Sequence, residues 1–181
     1  MRKVLYILGQ LDDLDVQWLV RVGRKRALAD GDVLVRQGVH APSLYILIEG
    51  QTMVTIAGVE PVVMLNPGEM IGELSFVDST PPSATVTAAG PCTVLEVPKT
   101  GLKEKIAADV GFGFRFYKAM ALFLADRLRA TQDQQKQRTG VDLVSTAAQA
   151  DELDDAVLDA LSLAGGRFER LLRTLAGAPA V

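Results

Sequence analysis

The chain has 181 residues, of which 49% are hydrophobic and 23% are charged. This composition excludes a disordered protein and allows one ordinary domain with some extra length. The net charge of −3 gives no support to nucleic acid as a partner, because domains that bind nucleic acid are basic.

The N-terminal sequence MRKVLYILGQL contains an apolar run of five residues, Val4 to Leu8. That run is too short for the core of a signal peptide. No other stretch reaches the roughly 18 apolar residues that a membrane span needs. We therefore expect a cytoplasmic protein without a membrane span.

A first helix is predicted over about residues 10–23, in LDDLDVQWLVRVG. Acidic residues fill its first turn, where they suit the helix dipole, and Gly23 is a typical stop signal. The helical spacing predicts one apolar face, consisting of Leu11, Leu14, Trp18, Leu19 and Val22.

Short runs rich in Val, Ile, Leu and Thr follow from about residue 26 to 98, and nearly every run ends in Gly or Pro. Such spacing predicts an all-β sandwich or barrel. LIEGQTMV indicates a hairpin through Glu49-Gly50. The single cysteine, Cys92, excludes an internal disulfide and is expected to be a buried core thiol.

After Pro98 the pattern becomes helical again, with a short helix that breaks near Gly111 and a long helix over 112–137. The long helix would extend for about 40 Å, more than a small β domain covers. Its apolar stripe either packs on its own barrel or pairs with a second copy, and we favour the second copy because exposed aromatic side chains need burial. The predicted dimerisation residues are Phe112, Phe116, Met120, Phe123 and Leu124.

The segment 138–181 is predicted to be a linker and a short helical tail. Residues 99–138 carry 9 basic and 4 acidic side chains, net +5, whereas 139–181 carry 3 basic and 7 acidic, net −4. The amphipathic patterns of the tail suit docking to a partner protein or folding back over the barrel. The tail also carries a basic stripe of Arg167, Arg170 and Arg173. The alternative to a docking role for this stripe is a face that is simply exposed to solvent.

The stretch GEMIGELSFVDSTPPSATVTA, residues 68–88, predicts a small pocket. Gly72 permits close approach of a ligand, and the amides of residues 73–75 are expected to cradle an anion. An ionised Glu73 only accepts hydrogen bonds, so it suits a sugar hydroxyl, whereas Ser83 and Thr85 can donate to a phosphate. With apolar walls from Ile71, Leu74 and Val86, such a pocket fits a nucleotide.

Rolled strands, then GEL, then SAT, then a short and a long helix resemble a cyclic nucleotide-binding domain over about residues 10–137. The arrangement is similar to the sensor domain of the catabolite activator protein and to the regulatory subunit of protein kinase A. MRKVLYILGQL, MIGELSFVDSTPPSATV and GFGFRFYKAMALFLADRLR also resemble a stand-alone bacterial subgroup labelled bacteriocin-type transport-associated. The resemblance implies a β-roll with flanking helices in residues 1–137.

In that family an Arg just before the small-Ala-Ser/Thr segment pairs with the cyclic phosphate, and Pro82 stands at this position. The resemblance implies that Glu73 binds the ribose. A lost charge-assisted hydrogen bond weakens binding by roughly 1.5–3 kcal/mol, or about ten- to a hundred-fold. The predicted ligand-binding residues are Ile71, Gly72, Glu73, Leu74, Ser75, Pro82, Ser83, Ala84 and Thr85.

Three interpretations stay open. Other donors, such as Arg36 or Lys99, hold a cyclic nucleotide; a less anionic ligand binds; or the pocket is vestigial and the fold is a ligand-independent adaptor. The sequence contains no nucleophile elbow, P-loop or zinc motif, so we expect no enzyme, no metal and no cofactor. Only about 44 residues follow the long helix, with a net charge of −4 and no basic recognition helix, which argues against a DNA-binding domain.

Overall fold

The computed structural model describes residues 8–57, 59–139, 164–167, 169–171 and 173–174. Within them, eight strands form two four-stranded antiparallel sheets, ordered β1-β8-β3-β6 and β2-β7-β4-β5. This arrangement confirms the predicted β-roll with flanking helices. The strands are β1 Arg24–Leu28, β2 Val33–Val35, β3 Ser43–Glu49, β4 Thr52–Ile56, β5 Val59–Leu65, β6 Met70–Ile71, β7 Thr85–Ala88 and β8 Cys92–Pro98.

The central strands of the first sheet, β3 and β8, are buried on both faces. Alternate residues of a strand point to opposite sides of its sheet. Tyr45 and Leu47 therefore belong to the core between the two sheets, while Leu44 and Ile46 belong to the core beneath the helices. This double burial explains why SLYILIE is an almost continuous apolar run and not an alternating one.

The predicted hairpin through Glu49-Gly50 is wrong. β3 pairs with β8 and β6, whereas β4 pairs with β5 and β7, so the chain crosses here from one sheet to the other. Gly50 has a φ of 79°, and a Cβ atom at this position would lie 2.4 Å from the carbonyl oxygen of Pro91. The glycine therefore serves a close crossing of two chain segments.

The helices that flank the sheets include α1 Asp13–Val22, α2 Leu74–Val77, α3 Lys99–Ala108 and α4 Val110–Thr139. Asp12 caps α1 by accepting a hydrogen bond from the Asp15 amide at 2.8 Å, and the Asp15 carboxylate accepts one from the Asp12 amide in return. Among the described residues, no helix is long and apolar enough to cross a membrane.

One member of the predicted apolar face of α1 is wrong, because Leu14 is 74% exposed. The neighbouring Asp15 is buried instead. Its carboxylate accepts two hydrogen bonds from Arg115 of α4, at 2.6 and 2.9 Å. The ion pair joins the first helix to the long one and satisfies a charge that would otherwise be costly to bury.

The break between α3 and α4 lies at Asp109 and not at the predicted Gly111, which is inside α4. The Asp109 amide closes α3 by donating to the Lys105 carbonyl at 2.9 Å. Its carboxylate accepts from the Phe112 amide at 2.9 Å. A single residue therefore ends one helix and caps the next.

The apolar stripe of α4 packs on the chain's own β-roll. The side chains of Phe112, Phe116, Met120 and Phe123 are at most 1% exposed, and Leu124 packs against the same core. The interpretation of this stripe as a face for a second copy is therefore corrected, since these side chains are already buried. Dimerisation itself stays a prediction.

The described part of the tail folds back towards α1. Ala164 and Leu171 are buried in the core beneath the helices. Arg167 donates to Asp13 at 2.8 Å and to the Leu8 carbonyl at 3.0 Å. Residues 140–163, which contain most of the predicted linker and acidic segment, lie outside the described residues.

Candidate functional site

A cleft of about 60 Å³ opens where the second sheet meets the turn before α2 and the far part of α4. Its floor and walls are apolar, and its polar groups come from three separate chain segments. The lining residues are Val35, Val54, Leu65, Met70, Ile71, Gly72, Glu73, Leu74, Ser75, Pro82, Ser83, Ala84, Val86 and Arg127.

The turn between β6 and α2 supplies the first polar segment. Gly72 has a φ of 87°, and a Cβ there would lie 3.3 Å from the Ser43 carbonyl oxygen. The Ser75 hydroxyl donates to the Gly72 carbonyl at 3.1 Å and accepts from the Lys99 ammonium at 2.6 Å. The first residue of α3 is thus bonded directly to the turn that lines the cleft.

Glu73 is the buried carboxylate of the cleft, with 4% of its side chain exposed. It forms an ion pair with the guanidinium of Arg127 on α4. Burial raises the pKa of Glu73, while Arg127 and backbone hydrogen bonds within the turn oppose that rise. The surroundings of Glu73 therefore disfavour its charged form, and the Arg127 guanidinium of α4 compensates that negative charge.

The segment at Pro82 supplies the opposite wall. The Pro82 carbonyl accepts from the Gly38 amide at 2.8 Å, which fixes the loop, while Ser83 and Ala84 line the cleft beside it. Arg36 is exposed and is not a lining residue. Lys99 also lies outside the lining; burial and the nearby Lys103 lower its pKa, against a smaller opposing effect of Glu73.

Residues 25–109 match the family profile of the cyclic nucleotide-binding domain. This part of the chain is a cyclic nucleotide-binding domain. The match covers both sheets, α2 and α3, and it confirms the resemblance at the level of the domain.

The curated relatives of this domain include a channel and the regulatory subunit of a kinase. A cyclic nucleotide-gated potassium channel of Rhizobium etli is 33% identical over 79 residues, which are 44% of this chain and 22% of the channel. The regulatory subunit of the cAMP-dependent protein kinase of Dictyostelium discoideum is 37% identical over 68 residues, which are 34% of this chain and 21% of the subunit. The matched segments thus span about a fifth of the length of these curated relatives.

A solved structure supports the fold. A cyclic nucleotide-binding domain from Methylobacillus flagellatus superposes with a TM-score of 0.67 at 19% identity, covering 78% of this chain and 85% of that one. One further relative carries the name of an enzyme: Glutaminase 2 of Bradyrhizobium diazoefficiens is 27% identical over 124 residues, or 20% of its own length. The absence of enzymatic activity here stays a prediction.

Eight of the nine predicted ligand-binding residues line the cleft. The exception is Thr85, whose hydroxyl oxygen accepts from the Gln37 amide at 3.1 Å; it does not line the cleft. Ligand binding by the other eight stays a prediction. The expected amide cradle has no long helix behind it, because α2 spans four residues.

Arg127 is the functional candidate that sequence reasoning missed. It lies four residues after the buried Phe123 and seven after the buried Met120, so it continues the inward-facing stripe of α4. A cation at the end of a buried stripe is a signal for a buried acidic partner. Within the described residues, no cluster of His, Cys, Asp or Glu side chains would hold a metal ion.

Proposed function

We propose that the protein is a non-enzymatic regulatory protein that binds a cyclic nucleotide, cyclic AMP or cyclic GMP, in the Glu73 cleft. The observation that carries this proposal is the position of Glu73, a buried carboxylate that lines the cleft of a cyclic nucleotide-binding domain. A carboxylate is a pure acceptor and suits the hydroxyl of a ribose. The names of the channel and kinase relatives point the same way.

The signal would pass through the helices. The cleft of about 60 Å³ is smaller than the roughly 300–1,000 Å³ of ordinary ligand sites, so binding requires the cleft to open. The elements that would move are α4, whose Arg127 lines the cleft, and α3, whose Lys99 is bonded to Ser75 of the turn that lines it. A ligand that favours the open arrangement shifts the population towards it and alters the contacts of α4 and the tail with a partner protein.

The second candidate function is a ligand-independent adaptor. Two observations favour it: Pro82 stands where a cation is expected, and Glu73 is already paired with Arg127. An adaptor would present its helices constitutively, and the cleft would stay closed. Membership of the bacteriocin-type transport-associated subgroup, the cytoplasmic location and the lack of a DNA-binding domain remain expectations under either candidate.

Calorimetric titration with cyclic AMP and cyclic GMP distinguishes these candidates, using the native chain beside Pro82→Arg. Micromolar binding by the native chain supports the sensor, and the variant Glu73→Ala should then lose most of that affinity. No binding by the native chain with binding gained in Pro82→Arg indicates an intact frame without its cation, which favours the adaptor. If neither the native chain nor Pro82→Arg binds a cyclic nucleotide, the pocket is closed and the sensor proposal is contradicted.

The proposed homodimer would use a different face of α4 from the buried stripe. Val110 is 81% exposed, Phe114 70% and Tyr117 47%, and large exposed apolar patches are typical of interaction sites. Sedimentation equilibrium should show a dimer that dissociates in Phe114→Glu. A native chain that sediments as a monomer at micromolar concentration would contradict this proposal.

A further inference from the structure

A cyclic nucleotide brings a phosphate anion into a cleft that already holds a buried carboxylate. Like charges in a poorly solvated site repel strongly. The position at which the family resemblance places a compensating Arg is occupied by Pro82. The cleft therefore needs a cation from another part of the chain if it is to hold the phosphate.

Arg127 is the cationic side chain among the described residues that line the cleft. It comes from α4 and not from the 71–84 segment, and its guanidinium reaches Glu73, with 34% of the Arg127 side chain exposed. A guanidinium is planar, carries five N–H donors and stays charged at all physiological pH values. It can therefore serve a carboxylate and a phosphate in one small cavity.

The two alternative cations are placed less well. The Lys99 ammonium donates to the Ser75 hydroxyl at 2.6 Å and supports the turn from outside the lining. The Arg36 side chain is exposed, and Arg36 is not among the residues that line the cleft. Neither residue lines the cleft that contains Glu73 and Ser83.

We propose that Arg127 is the phosphate-pairing cation of this domain and takes the role for which Pro82 is unsuited. The inference rests on the proposed function, since it concerns the same ligand in the same cleft. Glu73 would accept from the ribose, and the guanidinium would neutralise the cyclic phosphate beside it. A nucleotide would then be held jointly by the β-roll and by α4.

A competing role for Arg127 predicts the opposite change in ligand affinity when Arg127 is removed. If the guanidinium only occupied Glu73, a ligand would have to displace it, and removal of Arg127 would strengthen binding. If it pairs with the phosphate, removal weakens binding of a phosphate-bearing ligand and leaves a phosphate-free ligand unaffected. The ligand pair that separates these cases is cyclic AMP and adenosine.

The experiment is a calorimetric titration of the full chain with both ligands, adenosine being measured by competition if it is weak. We expect Arg127→Gln to lower the affinity for cyclic AMP about ten- to a hundred-fold and the affinity for adenosine less than about threefold. The affinity of Arg127→Lys for cyclic AMP should be intermediate, because lysine keeps the positive charge but lacks the planar guanidinium with its paired donors. The matched control is Arg129→Gln, an exposed position on the same helix, with less than about threefold change for either ligand.

Each outcome of the titration supports or overturns the inference. Circular dichroism establishes that the variants are folded, and Arg127→Lys serves if Arg127→Gln is not. Native binding with unchanged or stronger cyclic AMP binding in Arg127→Gln overturns the inference and leaves the proposed function standing. An equal loss for adenosine overturns the phosphate role as well. No cyclic nucleotide binding by the native chain overturns the proposed function and the inference with it.

Discussion

The ion pair between Asp15 of α1 and Arg115 of α4 is expected to stabilise the fold more than the surface pairs do. The Asp15 side chain is 3% exposed and the Arg115 side chain 32%, and two hydrogen bonds of 2.6 and 2.9 Å join them. Removing one partner of a fully buried pair costs about 3–5 kcal/mol, and an exposed pair contributes about 0–1 kcal/mol. Because one partner is partly solvated, Arg115→Gln should lower the free energy of unfolding by about 2–3 kcal/mol.

Urea denaturation followed by circular dichroism measures this loss. The matched control is Arg173→Gln, whose pair with Glu169 has side chains 77% and 67% exposed and should contribute less than about 0.5 kcal/mol. A double-mutant cycle with Asp15→Asn isolates the coupling. A loss in Arg115→Gln no larger than that of the control would refute the argument.

The same pair sets an acid limit on stability. Burial raises the pKa of Asp15, but hydrogen bonds from Arg115 and the Asp12 amide outweigh it and leave the pKa below its usual range. The contribution is therefore full above the unfolded pKa of about 3.9 and is lost as the pH falls through the lower folded pKa. Arg115→Gln should flatten this acid dependence; an unchanged pH profile would indicate another carboxylate.

Three further outcomes follow from buried groups. Burial raises the pKa of Glu73, so the cost of its charge to stability is full above the folded pKa, declines as the pH falls, and is gone below the unfolded pKa. Glu73→Gln should thus be more favourable to the urea midpoint at pH 7 than at pH 4, and the reverse order would contradict the shift. Gly72→Ala should lower stability by about 1–2 kcal/mol and weaken nucleotide binding, because its Cβ would lie 3.3 Å from the Ser43 carbonyl. Gly31 also has a positive φ, of 84°, but a Cβ atom there would lie in open space. Gly31→Ala should therefore lower the stability in thermal denaturation by the backbone strain alone and leave the titrated nucleotide affinity unchanged. Phe123→Ala, at 0% exposure, should cost about 3–5 kcal/mol in urea denaturation. Leu14→Ala, at 74% exposure, should cost less than about 0.5 kcal/mol, and similar losses would contradict the assigned burial.

Much of the fold could be predicted because its signals are local. Nearly every short apolar run ends in Gly or Pro, so the strands and an all-β sandwich or barrel follow from the pattern, and the family resemblance implies the β-roll. The sheet to which each strand belongs does not, since the turn at Gly50 looks like a hairpin turn and is in fact a crossing. The difference depends on the approach of Pro91, about 40 residues further along, which no local pattern contains.

The candidate site likewise has one part that the sequence predicts and one part that it does not. The eight predicted residues that line the cleft lie within one stretch of 14 residues, from Ile71 to Ala84, so a single motif predicted them together. The Arg127 contact joins residues 54 positions apart, and the Arg115 contact with Asp15 joins residues 100 apart. Such pairs depend on the rotation of α4 against the roll, which the helical period constrains but does not fix.

The break at Asp109 gives α4 the properties of a lever. Arg127 lies 17 residues beyond Val110, or about 26 Å along the helix axis. A tilt of about 10° at Asp109 would therefore sweep the guanidinium through about 4 Å, more than the reach of a hydrogen bond. In the proposed sensor, a ligand that opens the cleft would change the angle of α4, and a probe at the far end of α4 would report that change.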